Sequence, residues 1–113
     1  MLDFKGTLYQ LLGERIRKTR EELEFSQEYM AKEIGLGRAS ISNIERGRHQ
    51  IPLSTLYHLS KVLKKEIHLL LPTYKEILEK IDIDENSDFK SLLDKEKLNK
   101  KLRTDLENLI KNL

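Results

Sequence analysis

The chain has 113 residues, enough for one compact core and at most a short appended element. With 38% hydrophobic and 35% charged residues it reads as folded, helix-rich and soluble, and the lack of cysteine excludes disulfide frameworks, iron–sulfur clusters, thiol catalysis and thiolate zinc sites. The net charge of +2 is too small to imply nucleic acid by itself, yet residues 34–65 set six Lys/Arg against the single acid Glu45.

Met1 to Lys5 show no basic segment followed by an apolar stretch, and no run approaches the roughly 18 apolar residues of a membrane helix, so the whole chain is read as mature, soluble and cytoplasmic. Thr7 and Gln10 have capping-box spacing. Leu8, Leu12, Ile16 and Leu23 follow at helical intervals, which predicts a first helix over about 8–22. Ser26 is a good N-cap, with Glu28 in the first turn of a short second helix that buries Met30, Ala31 and Ile34. Gly35 supplies left-handed backbone, and Gly35-Leu36-Gly37 leaves three residues before apolar spacing resumes at Ile41 and Ile44. That is the spacing of a tight helix-turn-helix joint.

The third helix, about Arg38 to Arg46, stops at Gly47, and Pro52 suits the first turn of a fourth in which Leu53, Leu56, Leu59 and Leu63 share a face. Glu66 to Leu71 reads as a fifth short helix ended by Pro72. Thr73 with Glu76 then forms another capping box, and the acidic run 82–88 reads as a hinge. From Phe89 onward Leu92, Leu93, Leu98, Leu102, Leu106, Leu109, Ile110 and Leu113 suggest one amphipathic helix, or two with a break near 95.

With Ile41 and Ile44 held in the core, the opposite face of the third helix is free and carries Arg38, Ala39, Ser42 and Asn43, with Arg46 at its far end. Such a face suits a B-DNA major groove. Arg38 has the geometry to donate two bonds to guanine, Asn43 to pair with adenine, Ala39 to touch a thymine methyl and Ser42 to bond either edge, while Arg46 and Arg48 grip phosphates. Taken singly, Arg38 is a solvated charge, Asn43 a neutral surface residue and Gln27 the first turn of a helix; the reading rests on their combination.

The ordered set Leu12-Gly13-Glu14-Arg15-Ile16-Arg17, Arg20, Ser26-Gln27-Glu28-Tyr29-Met30-Ala31, Gly35, Ile41-Ser42-Asn43-Ile44-Glu45-Arg46-Gly47, then Leu56, Leu59 and Leu63, resembles the xenobiotic-response-element family. These are the Cro and phage-repressor-type helix-turn-helix proteins, and the likeness covers about residues 12–71. It implies an all-α fold, a five-helix repressor-type domain over 7–71 with a helical extension over 72–113 for dimerisation or partner binding. It also implies that Arg38, Ala39, Ser42 and Asn43 read bases, that Gln27 anchors a phosphate, and that Arg20 and Glu45 form a structural ion pair. Gly37 departs from the family pattern, which has Ser or Thr there, so a helix cap is expected to be lost. Lys65 stands where an apolar residue is common.

Enzyme chemistry finds little support: His49, His58 and His68 have no metal-ligand spacing, and there is neither a glycine-rich phosphate loop nor a nucleophile elbow. No cofactor or metal is expected. The leading reading is a homodimeric repressor of double-stranded DNA, because one short helix reads too few base pairs for selectivity. Leu69, Leu70, Leu71 and the leucines after Phe89 are the candidate interface, unless they fold onto their own subunit. Two other readings stay open: a DNA-binding antitoxin whose extension captures a toxin or antagonist protein, and an interaction module that has lost DNA binding.

Overall fold

The computed structural model describes residues 3–95 and 107–112, and all regular structure among them is helical. Six helices follow in order: α1 (Phe4–Glu22), α2 (Gln27–Ile34), α3 (Arg38–Glu45), α4 (Leu53–Leu63), α5 (Ile67–Leu70) and α6 (Tyr74–Lys95). The expected all-α class is what the structure shows. Two compact units divide the chain, Met1–Ile81 and Asp82–Leu113. Among the described residues no helix is long and apolar enough to cross a membrane.

The first helix begins a turn earlier than the capping-box spacing at Thr7 suggests. Asp3 is its N-cap and accepts from the Gly6 amide. Thr7 is instead fully buried, and its hydroxyl has no hydrogen-bond partner within the protein. At α2 the expected signals hold: Ser26 accepts from the Tyr29 amide at 3.0 Å, and Gly35 closes the helix at φ +73°. Left-handed backbone of this kind is steeply unfavourable for a residue with a Cβ. Gly37 caps α3 with no side-chain hydrogen bond, as its lack of a hydroxyl requires.

Leu12 and Ile16 of α1, Met30 and Ala31 of α2, Ile41 and Ile44 of α3, Leu56, Leu59 and Leu63 of α4, and Leu70 of α5 form one buried cluster. Leu53, the first residue of α4, departs from the shared face predicted for that helix and stays 67% exposed, the core contact beginning at Leu56. The α4–α5 joint turns at Lys64, in left-handed conformation at φ 54°, and the Lys65 amide donates back to the Ser60 carbonyl at 3.1 Å. Consecutive residues of a helix point about 100° apart, so the leucines of α5 diverge: Leu69 is exposed whereas Leu70 is fully buried in its own subunit's core. Leu70 is thereby removed from the residues expected at a subunit interface.

The capping box at the start of α6 forms as expected, with the Thr73 amide donating to Glu76 at 3.0 Å and the Glu76 amide to the Thr73 hydroxyl at 3.1 Å. Arg15 of α1 donates to the Leu71 carbonyl at 3.0 Å and pairs with the Glu76 carboxylate. The hydrogen bond from Thr73, and then Arg15, hold the Glu76 carboxyl below the usual carboxylate range. Ile77 is buried, and the Phe4 and Tyr74 rings lie 4.7 Å apart. Further on, the backbone is helical through 82–88, where the acidic run suggests a hinge. That run contains no Gly or Pro, and the modest helix aversion of Asp, Asn and Ser is a weak force on its own. Of the leucines in the predicted tail stripe, Leu98, Leu102, Leu106 and Leu113 lie outside the described residues, and Leu109 and Ile110 are exposed on a helical stretch at 107–111.

Candidate nucleic-acid interface

The residues of α3 differ by face, Ser40 being half-buried beside the core. Ile41, Ile44 and Glu45 are buried, Ser42 and Asn43 are half-buried, and Arg38 and Ala39 are exposed, as is Arg46 just beyond the helix end. At 100° per residue the buried three span one side and Ala39, Asn43 and Arg46 the other. The helix is held against α1 at two glycines. A Cβ on Gly13 would lie 2.4 Å from the Ile44 carbonyl oxygen and 2.7 Å from that of Glu45, so the two backbones touch where α1 crosses the end of α3. Gly47 turns the chain at φ +73°, and a Cβ there would sit 2.7 Å from the Gln10 Cα. No other residue type fits both contacts without backbone movement.

A buried ion pair ties the same junction together. Arg20 Nε donates to Glu45 Oε2 at 2.6 Å and its Nη2 to Oε1 at 3.0 Å, a two-pronged arrangement, while Nη1 donates to the Phe25 carbonyl at 2.8 Å. Gln27 Nε2 adds a third donor to the carboxylate, at 3.0 Å. Because a carboxylate only accepts, the nitrogen end of the Gln27 amide must face Glu45, which leaves its carbonyl end for the surface. The Glu45 side chain is 2% exposed and that of Arg20 is 11% exposed, so the pair is removed from water and saturated by donors at once. Its hydrogen bond to the Glu45 carboxylate raises the Arg20 pKa above its ordinary value.

The structure brings most of the sequence-nominated residues to one open groove. Gln27, Arg38, Ala39, Ser42 and Arg46 line it together, with Arg20 and Glu45 at its floor. Asn43 and Arg48 stand outside it. Asn43 is half-buried on α3 and its carbonyl accepts the Arg48 amide at 2.9 Å, which places Arg48 exposed in the loop after Gly47. One groove residue is missing from the sequence-based set: Arg17 of α1. Its signal is positional, since it lies three residues before Arg20 and so on the same side of α1. The α2 N-terminus opens beside the groove, where Ser26, Gln27 and Glu28 flank Arg20 and Arg38. The first backbone N–H groups of a helix have no intrahelical partner and attract anions. A basic groove with a helix N-terminus beside it and a polar helix face on its rim is built to receive an anionic polymer carrying hydrogen-bonding edges.

The helix-turn-helix family profile matches residues 16–70, the segment that holds α2, α3 and the core around them. Among relatives, the chain is 37% identical over 62 residues to the control protein C.SmaI of Serratia marcescens, covering 55% of this chain and 74% of that one. It is 40% identical over 52 residues to an uncharacterised transcriptional regulator in the ATPase CF(0) region of Rhodospirillum rubrum, covering 46% of this chain and 48% of the relative, so it spans about half that protein's length. Among solved structures, the restriction-modification controller protein C.AhdI of Aeromonas hydrophila superposes with a TM-score of 0.54 at 30% identity, covering 56% of this chain and 96% of that one. With the Arg20–Glu45 pair and the two-faced third helix in place, the chain belongs to the xenobiotic-response-element, Cro and phage-repressor-type family of helix-turn-helix transcriptional regulators.

Proposed function

We propose that this protein is a sequence-specific transcriptional repressor that binds double-stranded DNA as a homodimer in the cytoplasm, with α3 inserted in the major groove. One observation carries the reading: α3 is anchored by Ile41, Ile44 and Glu45 so that Arg38, Ala39, Ser42, Asn43 and Arg46 are turned away from the core. Arg38, Ala39, Ser42 and Asn43 read base edges, and Arg46 and Arg48 hold flanking phosphates. Gln27, the first residue of α2, offers its backbone N–H to a phosphate at that helix N-terminus, its side-chain amide nitrogen being held by Glu45. DNA binding is the work of residues 7–71. Dimerisation, or capture of an antagonist protein, falls to residues 72–113, whose first turns also brace α1 through Glu76 and Ile77. The relatives named control protein and transcriptional regulator support a role in regulating transcription.

A dimer places two copies of α3 about 34 Å apart, in successive major grooves on one side of the duplex. Selection of bound duplexes from a random pool is therefore expected to return an inverted repeat with half-sites about 10 bp apart, centre to centre. Recovery of a single unrepeated half-site would overturn the dimeric reading. Failure to enrich any sequence, with salt-sensitive binding retained, would overturn sequence-specific reading by α3.

A further inference from the structure

Arg17 and Glu21 sit one helical turn apart on α1, and Arg17 lines the groove that holds Arg38, Ala39 and Arg46. Arg17 Nε donates to Glu21 Oε1 at 2.8 Å, and Arg20 Nη2 lies 3.9 Å from the same carboxylate oxygen. The side chains of Arg17 and Glu21 are 64% and 54% exposed. Glu21 is thus an acid placed against two arginines at the edge of a basic groove. An exposed i,i+4 pair is weak, so exchanging its carboxylate for another anion costs little. A phosphate offers Arg17 the same forked geometry and releases condensed counterions as well.

We propose that Arg17 is an additional phosphate-binding residue of the DNA interface, and that Glu21 occupies it in the free protein as an internal stand-in for the DNA backbone. This rests on the DNA-binding reading above and deepens it. Binding swaps the Glu21 carboxylate for a phosphate oxygen on Arg17, so the free protein must give up the Arg17–Glu21 pair before Arg17 can reach the DNA. The device lowers affinity for all duplexes alike, because a phosphate carries no sequence information. Its effect is to suppress non-specific binding while α3 continues to discriminate between sites.

The test uses the full chain, a duplex selected from the random pool and an unrelated duplex of equal length, with binding measured from 50 to 200 mM salt. Arg17→Ala is expected to weaken both duplexes, to flatten the slope of log K against log salt by about 0.9, and so to lose about 3.5-fold less affinity across that salt range than the wild type. Glu21→Gln is expected to tighten both duplexes by roughly 2-fold at low salt, the factor that an exposed i,i+4 ion pair is worth. In the double variant that gain should shrink to near nothing, since Glu21 acts through Arg17. An unchanged salt slope in Arg17→Ala overturns the phosphate contact. A gain from Glu21→Gln that persists without Arg17 overturns the exchange and leaves Glu21 as a general repulsive charge. Binding of neither duplex by the wild type sinks the DNA-binding reading itself, an outcome distinct from both. Thermal melts of the three variants check that these exposed substitutions leave the fold intact.

Discussion

Replacing Arg20 by Met tests what holds α3 in place. Met keeps much of the aliphatic stem and removes the guanidinium, so Glu45 loses two of its three donors, at 2.6 and 3.0 Å, and retains only Gln27 at 3.0 Å. The Phe25 carbonyl loses its partner at 2.8 Å as well. With the Glu45 side chain only 2% exposed, water from the groove replaces little of what is lost. Breaking a buried pair by removing one partner costs about 3–5 kcal/mol, a large part of the roughly 5–15 kcal/mol that holds a small domain folded. In a unit of this size the thermal midpoint should fall by roughly 15–30 °C, followed by circular dichroism at 222 nm. Two companions make the reasoning sharp. Arg17→Met breaks a pair that is more than half exposed and should leave the midpoint nearly unmoved. Arg20→Met combined with Glu45→Leu removes both charges and should recover most of the loss, because two apolar side chains need no partners. A midpoint for Arg20→Met no lower than that of Arg17→Met would refute the claim that the pair is sealed from water and bears on the position of α3.

Four further outcomes are expected. Gly13→Ala puts a methyl 2.4 Å from the Ile44 carbonyl oxygen, so it should destabilise by about 1–3 kcal/mol in urea unfolding and weaken cognate DNA binding, since α3 itself has to move. Thr7→Val replaces a buried hydroxyl that has no protein partner with a methyl of the same shape, and should raise stability by about 1 kcal/mol; a loss would mean that the hydroxyl is satisfied after all. Glu76 has a lowered pKa in the folded state, so its contribution is present above its ordinary value of 4.5 and is lost as pH falls through the lower folded value. The stability gap between wild type and Glu76→Gln should accordingly close on acidification below pH 4.5, as read by melts across an acid series. Arg38→Ala should weaken the selected duplex by roughly 1–3 kcal/mol and relax preference at one base position, whereas Arg48→Ala should weaken all duplexes alike and flatten the salt dependence. Identical behaviour of those two variants on both duplexes would erase the division between reading and gripping residues.

What could be read ahead of the structure was mainly local. Ser26, Gly35 and the Ile41–Ile44 spacing marked the helix-turn-helix because caps, left-handed turns and apolar periodicity act within a few residues. The outward face of α3 followed from which side its isoleucines bury. A signal of the same local kind misleads at the start of α1: Thr7 has capping-box spacing, yet it is engulfed in the core and Asp3 caps the helix instead. The acidic run 82–88 resembles a hinge by composition, but its backbone is helical, because the modest helix aversion of Asp, Asn and Ser is too weak to end a helix on its own. Contacts between distant residues were the least legible. The Gln27 amide on Glu45, the approach of Gly13 to α3 and the seat of Arg15 between Leu71 and Glu76 depend on how helices cross, which no single segment encodes. The Arg20–Glu45 pair was available only through the family pattern, and Arg17 was overlooked because an arginine with an acid four residues on reads as an ordinary solvated pair.

The central claim is that the outward residues of α3 determine which DNA is bound. A specificity swap tests it most directly: Arg38, Ala39, Ser42 and Asn43 are exchanged together for those of a family member with a known operator, and duplex selection is repeated. Because Ile41, Ile44 and Glu45 are retained, the fold is preserved, and the selected half-site is expected to change to that of the donor protein. A variant that folds, binds and still selects the original half-site would place sequence reading elsewhere on the protein and contradict the account.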